Sequence, residues 1–260
     1  ALIIGGSFSL YNGTNRSCLA GLNSDGSLDL GFDVGIGFNS GSPTLVDALA
    51  TQLDGKLLVG GNFEGYNGAS AESLVRLNTD GSRDTNFDTR TLNGGGFYTY
   101  SVVPQPDGKV LIGGNFAEVK SIGRSCIARL NTNATLDVSF DPGTGAVAPL
   151  NLAVHSIILQ PDGNVILGGA FTTVDRVGRW NVARVYGDAP VFKAPTFSSG
   201  NFGLQWTAIS GRTYRVQFRT NLTSGDWTDL LPDIVASTNS VSMADPLTGT
   251  NRYYRVILLP

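Results

Sequence analysis

The chain has a single histidine, His155. An imidazole that titrates near neutral pH is the first place to look for proton chemistry. His155 follows Asn151-Leu152-Ala153-Val154, and two upstream segments of similar pattern carry Tyr100 and Asp47 at the matching position. A carboxylate, a phenol and an imidazole brought together could hold a polar ligand or move a proton, provided the fold aims them at one point. These three are the candidate binding residues, facing a central channel. The plainer reading is three solvated strand residues. One histidine supplies neither a His-rich metal site nor a redundant Ser-His-Asp arrangement, so no catalytic residue and no metal ligand are assigned.

Oxygen-rich segments are the second candidates. Asn23-Ser24-Asp25-Gly26-Ser27-Leu28-Asp29 is echoed by Asn78, Asp80, Ser82 and Asp84. Alternating oxygens are what a calcium loop needs, but neither loop has Glu at its twelfth position, and Asx-Gly equally suits a hairpin turn. The expectation is no cofactor, with structural calcium as a secondary reading. Arg76, Arg129 and Arg184, with Asp84 and Asp137 downstream, could line a surface for anionic glycans. Hydrogen bonds inside each repeating unit are the favoured use. Phe97, Tyr98 and Tyr100, read as loop aromatics, could stack on sugars, although packing between units is preferred. The sequons at Asn12, Asn15, Asn133 and Asn221 matter only in a host that glycosylates Asn-x-Ser/Thr.

What positions these residues is a repeat. Gln105-Pro106-Asp107-Gly108-Lys109-Val110-Leu111-Ile112-Gly113-Gly114-Asn115-Phe116 has close copies at 52–63 and 160–171, and a half copy opens the chain at 2–8. The first glycines of the pairs, Gly5, Gly60, Gly113 and Gly168, give periods of 55, 53 and 55 residues. A second motif keeps step: Leu-Asn-x-Asx at 22–25, 77–80 and 130–133, ending in Phe32-Asp33, Phe87-Asp88 and Phe140-Asp141. Periods of this length, rich in strands and turns, predict propeller blades. Asp-Gly between two apolar runs predicts tight hairpins pairing 46–53 with 56–62, 99–105 with 109–115, and 154–160 with 164–170. The second strand of each pair is apolar on both faces, as in a sheet sandwiched between neighbours. A third strand is expected at 73–78 and 126–131, then a turn and a short fourth strand reaching Phe-Asp. The glycine pair marks a bulge or a close approach of backbones. Almost no helix is expected. The Gly-, Ser- and Pro-rich connections 34–44, 89–98 and 142–152 are expected to be exposed loops.

Composition narrows the function classes. Charged residues make up 15% of the chain, against about 25% in average domains. The net charge is −3 and no basic run occurs. This argues against nucleic acid and against attraction to an anionic membrane. The longest apolar runs are a few residues, so no membrane insertion is expected. Cys18 and Cys126 occupy the same repeat position two units apart and are expected to be separate, half-buried thiols.

The array resembles the delta-60 repeat family of β-propellers, whose units read much like Gln-Pro-Asp-Gly-Lys-Val-Leu-Ile-Gly-Gly-Asn-Phe followed by Ala-Arg-Leu-Asn and a Phe-Asp ending. The resemblance covers residues 1–186 or so. Gly21 stands where the other units have Arg, and Asn133-Ala134 replaces the second Asp-Gly. The resemblance implies a repeat region of a large secreted or surface-attached bacterial protein. The first unit lacks its innermost strand and the last lacks its Phe-Asp end. The array is therefore a distorted four-bladed ring or part of a larger one, and missing upstream sequence is the preferred explanation.

The repeat ends near Gly187. The expected organisation is all-β: propeller-type repeats over 1–188, a linker over 189–195, and a small β-sandwich over 196–260. In the last part Phe202, Leu204 and Trp206, then Tyr214, Val216 and Phe218, alternate with polar neighbours. Gly211-Arg212-Thr213-Tyr214-Arg215-Val216, Trp227 and the Tyr-Arg-Val ending make it similar to small fibronectin type III or immunoglobulin-like modules. The expected function is a non-catalytic extracellular or cell-surface scaffold, structural or adhesive, with protein partners or self-assembly. The alternatives are a glycan-binding module, with polysaccharide as partner, and the accessory region of a secreted hydrolase.

Overall fold

The computed structural model describes residues 2–39, 44–89, 98–148, 152–160, 163–187, 190, 192–198, 200–208, 212–221, 226–238, 240–246 and 251–259. Phe97, Gly211, the turn at 161–162, residues 222–223 of one sequon and the middles of the three connections lie outside them. The chain divides into two compact units, Ala1–Gly187 and Asp188–Pro260. No helix occurs among the described residues.

In the first unit each full repeat is an antiparallel sheet built outward from an inner edge strand. The inner, middle and third strands are Leu45–Thr51, Leu57–Asn62 and Leu74–Leu77 in repeat two. Repeat three has Tyr98–Pro104, Val110–Asn115 and Ile127–Leu130. Repeat four has Ala153–Leu159, Val165–Ala170 and Val182–Val185. In repeat one, Leu2–Gly5 pairs with Leu19–Leu22. Gly55, Gly108 and Gly163, at φ near +80°, close the inner hairpins, a conformation that costs glycine little. In repeats one to three the fourth strand is reduced to a single bridge: Leu22 with Leu28, Leu77 with Arg83, and Leu130 with Leu136.

Each blade also carries a small outer hairpin that was not expected, such as Gly65–Tyr66 with Ala69–Ser70. Its two turn residues both have positive φ: Asn12-Gly13, Asn67-Gly68, Lys120-Ser121 and Asp175-Arg176. This is the type I′ turn that matches strand twist. The connections correct a second expectation. They are not simply exposed, because Val34, Phe38, Thr89 and Ala146 are buried, and Phe38–Asn39 pairs with the outer hairpin of the following repeat. Tyr98 and Tyr100 are strand residues, not loop residues.

Blades pack face to face, and the burial lies between them. One cluster joins Leu19 and Phe32 of repeat one to Val46, Leu57 and Val59 of repeat two. A second joins Leu58 and Leu74 to Val102, Val110 and Ile112. A third joins Leu111, Ile127 and Phe140 to Val154, Ile157, Val165 and Leu167. Middle strands are thus apolar on both faces because each face meets a different neighbour.

The second unit is a sandwich of two three-stranded sheets. One has Thr196–Ser198, Asn201–Thr207 and Ser240–Pro246; the other has Thr228–Val235, Thr213–Arg219 and Tyr253–Leu258. Leu204, Trp206, Tyr214, Val216 and Val241 fill the space between them, as the alternation predicts.

Candidate functional site

Asp47, Tyr100 and His155 are the extra residue of one and the same β-bulge in three successive repeats. The inner strand pairs in register from its far end to Ala48, Ser101 and Ser156, slips by one residue, and resumes at Val46, Thr99 and Val154. A bulged residue lacks a cross-strand partner, and its side chain is re-aimed. On an edge strand the bulge also blunts pairing with other chains. The second glycine of each pair belongs to the same device: a Cβ on Gly61, Gly114 or Gly169 would run into the carbonyl of Leu45, Tyr98 or Ala153 on the bulged strand.

The structure brings the three residues together. The Tyr100 and His155 rings lie 5.1 Å apart, and Tyr98 stacks on Tyr100 at 6.3 Å. Burial pushes the Asp47 carboxyl above its ordinary value, with the His155 charge pulling the other way. The Tyr100 phenol is pushed up by burial and then by Asp47. Asp47 and His155 are nonetheless exposed and Tyr100 is half-buried. Such a strip can hydrogen-bond a polar ligand, but groups in water provide little of the electrostatic stabilisation that catalysis draws on.

The repeated arginines do something else. Arg76 Nε and Lys56 Nζ both donate to Asp84 Oδ2, each at 2.8 Å. In the next repeat Arg129 Nε and Lys109 Nζ donate to Asp137 Oδ2 at 2.7 and 2.9 Å. Phe87 and Phe140 of the Phe-Asp motifs lie under the guanidinium groups, at 4.5 and 5.3 Å. Burial alone would raise the Asp84 carboxyl; hydrogen bonds from Lys56, the Asn86 N–H and Arg76 outweigh it and hold the group below the usual range. Asp137 is held low in the same way, by Ser139 and Lys109 above all. Arg129 Nη1 also donates to the Gly187 carbonyl at 2.8 Å, tying repeat three to the end of repeat four. The lysines were missed in the sequence, although Lys follows Asp-Gly in both copies.

The calcium-like loops are turns. Asp25 Oδ1 accepts from the Ser27 N–H and hydroxyl at 3.0 and 2.7 Å, and Asp80 does the same with Ser82 at 2.9 and 2.6 Å. Among the described residues no group of three or more His, Cys, Asp or Glu is placed to hold a metal. Cys18 and Cys126 are free thiols, buried and not half-buried. They share a repeat position with Ser73 and Asn181, and all four have φ between 55° and 64°.

The last repeat differs from the others on its outward face. Val182 is 61% exposed, while Leu19, Leu74 and Ile127 at the same repeat position are fully buried. On the same face Ile158 is 57% exposed; Trp180, just before the third strand, is 75% exposed. A Cβ on Gly5, Gly60 or Gly113 would strike the inner strand of the next repeat at 2.5–2.8 Å; on Gly168 it would meet only Ser156, at 3.8 Å. Arg184 Nε donates to Gln160 Oε1 at 2.6 Å. Leu2–Gly5, the middle strand of repeat one, packs on the inner strand of repeat two, and the inner strands of repeats two, three and four pack in series; among the described residues Ala153–Leu159 has no comparable packing against Leu2–Gly5.

Blades that share a bulge, an ion cluster and an interblade core define an all-β repeat array of β-propeller type. Residues 2–32, 52–87, 105–140 and 160–185 match a family model described as a domain of unknown function (DUF5122) beta-propeller, and the repeat region belongs to this β-propeller-type repeat family. No curated protein and no solved structure matches the chain.

Proposed function

We propose that this chain is a non-catalytic structural or adhesive scaffold, of delta-60 type in its repeats, that works by assembly with other protein surfaces. The reading extends to a secreted or surface-attached bacterial protein, with the C-terminal sandwich as a fibronectin type III or immunoglobulin-like module. The outward face of repeat four carries it. Ile158, Ile166, Gly168 and Val182 present the surface that every earlier repeat buries against its neighbour. Burying one such apolar side chain is worth about 1.5–3 kcal/mol, and contiguous apolar patches of this kind mark interaction sites. The partner that fits is another blade face, because the glycine leaves room for an inner strand to approach.

The test is solution mass by light scattering across a concentration series, with Val182→Glu beside the parent chain. A mass rising above the 27.3 kDa of one chain, and held at one chain in V182E, supports assembly through this face. A mass of one chain for both, at every concentration, overturns self-assembly and with it this reading.

A further inference from the structure

One end of the C-terminal sandwich holds a cleft of about 460 Å³, within the range of small-ligand sites of roughly 300–1,000 Å³. Strands of both sheets begin or end there. Asn201–Thr207 contributes Phe202 near its start, Thr213–Arg219 ends in Arg219, and Tyr253–Leu258 opens with Tyr253 and Tyr254. Trp227, just before Thr228–Val235, completes the wall. The walls are mainly aromatic, and the charged side chains along them are Lys193, Arg219 and Arg252.

The charges do not cancel. Asp245 is buried behind the wall, where Arg252 Nη1 donates to both its oxygens at 2.7 and 2.6 Å and the Tyr254 hydroxyl donates at 2.6 Å. Burial and then Asp245 push the Tyr254 phenol up to about 12, so it stays a donor. Arg252 and Asp245 neutralise each other. Lys193 Nζ donates to the Ser240 hydroxyl, a neutral partner, at 3.1 Å. Arg219 makes no ion pair with the described residues. Its guanidinium stacks on Trp227 at 4.5 Å, and Arg255 stacks on the same ring at 4.4 Å. Stacking fixes the plane of the group and leaves its N–H edge for an acceptor, the geometry in which arginine reads a carboxylate.

We infer that this cleft binds a carboxylated sugar residue of an acidic polysaccharide. Arg219 pairs with the carboxylate, Lys193 adds charge beside it, and Phe202 and Tyr253 cover the apolar face of the sugar ring. Two cations with no ion pair among the described residues call for an anion, and aromatic walls call for a ligand with a flat apolar face. Nucleic acid is a poorer fit, since its binding draws on many phosphate contacts and the whole chain carries −3. The site belongs to the second unit and goes beyond the assembly reading.

The experiment is titration calorimetry of the whole chain with a galacturonate trimer, the matching neutral galactose trimer and an acidic peptide. Saturable binding of the uronate alone, weakening as salt is raised, is the expected result. Arg219→Gln should cut affinity about tenfold or more, as loss of a charge-assisted hydrogen bond does. Phe202→Ala should also weaken it. Arg215→Gln, which removes a pairing with Asp229 and Asp233 elsewhere on that sheet, should leave it unchanged. Absence of uronate binding, equal binding of the neutral trimer, binding of the peptide only, or an unaltered R219Q would each overturn the assignment. Because Val182 belongs to the first unit and the cleft to the second, V182E should bind the trimer like the parent, which separates this result from failure of the assembly reading.

Discussion

Repeats two and three and repeat four fold from nearly the same sentence of residues, yet they differ in what closes their outward faces. In the first two, a lysine, an arginine and an aspartate form a compact cluster over a phenylalanine ring, and a further blade lies against that face. In repeat four Asn164 stands at the lysine position, Arg184 leans on Gln160, and Ile158 and Val182 face outward. The comparison separates two roles that the repeat motif merges. Alternating apolar residues make the sheet, while the ion cluster and the first glycine of each pair make a face that a neighbour can sit on.

The largest difference should appear at the carboxylate. Asp137→Ala leaves Arg129 and Lys109 without their shared anion in a buried setting, and should cost about 3–5 kcal/mol. Gln160→Ala, which removes one acceptor of Arg184 in repeat four, should cost under about 1 kcal/mol. Urea unfolding midpoints of the two variants measure the gap; equal losses would mean that the cluster contributes nothing special. Next in size, Ile127→Ala should cost about 2–4 kcal/mol, whereas Val182→Ala at the same repeat position should stay within about 0.5 kcal/mol.

The glycines sharpen the contrast further. An alanine at Gly113 would meet Val154 at 2.8 Å and Ile157 at 2.9 Å, and should destabilise by about 1–3 kcal/mol. Gly168→Ala makes only an ordinary contact with Ser156, at 3.8 Å, and should be neutral, or stabilising by about 0.4–1 kcal/mol through the unfolded chain. Thermal melts would show the two moving in different directions. The smallest effect concerns pH. Asp84 and Asp137 are held below the usual carboxylate range when folded. Their contribution is complete above the unfolded value near ~3.9 and is lost as pH falls through the folded values. Stability should therefore fall below about pH 4, and Asp137→Asn should flatten that fall.

Much of the architecture was legible because hairpin signals recur in register. Asp-Gly between apolar runs located every inner hairpin, and the spacing of the Gly-Gly pairs gave the blades. The bulge was half legible: the glycines announced a close approach, but not that Asp47, Tyr100 and His155 are the bulged residues, since register is set by pairing across strands. The outer hairpins were missed although Asn12-Gly13 and Asn67-Gly68 signal them; Lys120-Ser121 and Asp175-Arg176 make the same turn without glycine. Val34 and Phe38 were lost inside a Gly-rich segment whose composition resembles a surface loop. The cleft around Arg219 could not be read, because it joins residues from three strands and their flanking segments, distant in the chain.

Hydroxyl-radical footprinting of the parent chain at low and high concentration tests the uncovered blade face most directly. At low concentration Ile158 and Val182 should be modified fast, while Leu74 and Ile127 are protected. At high concentration the first two should become protected as partner faces cover them. Modification of those two that stays fast at every concentration would contradict assembly through repeat four.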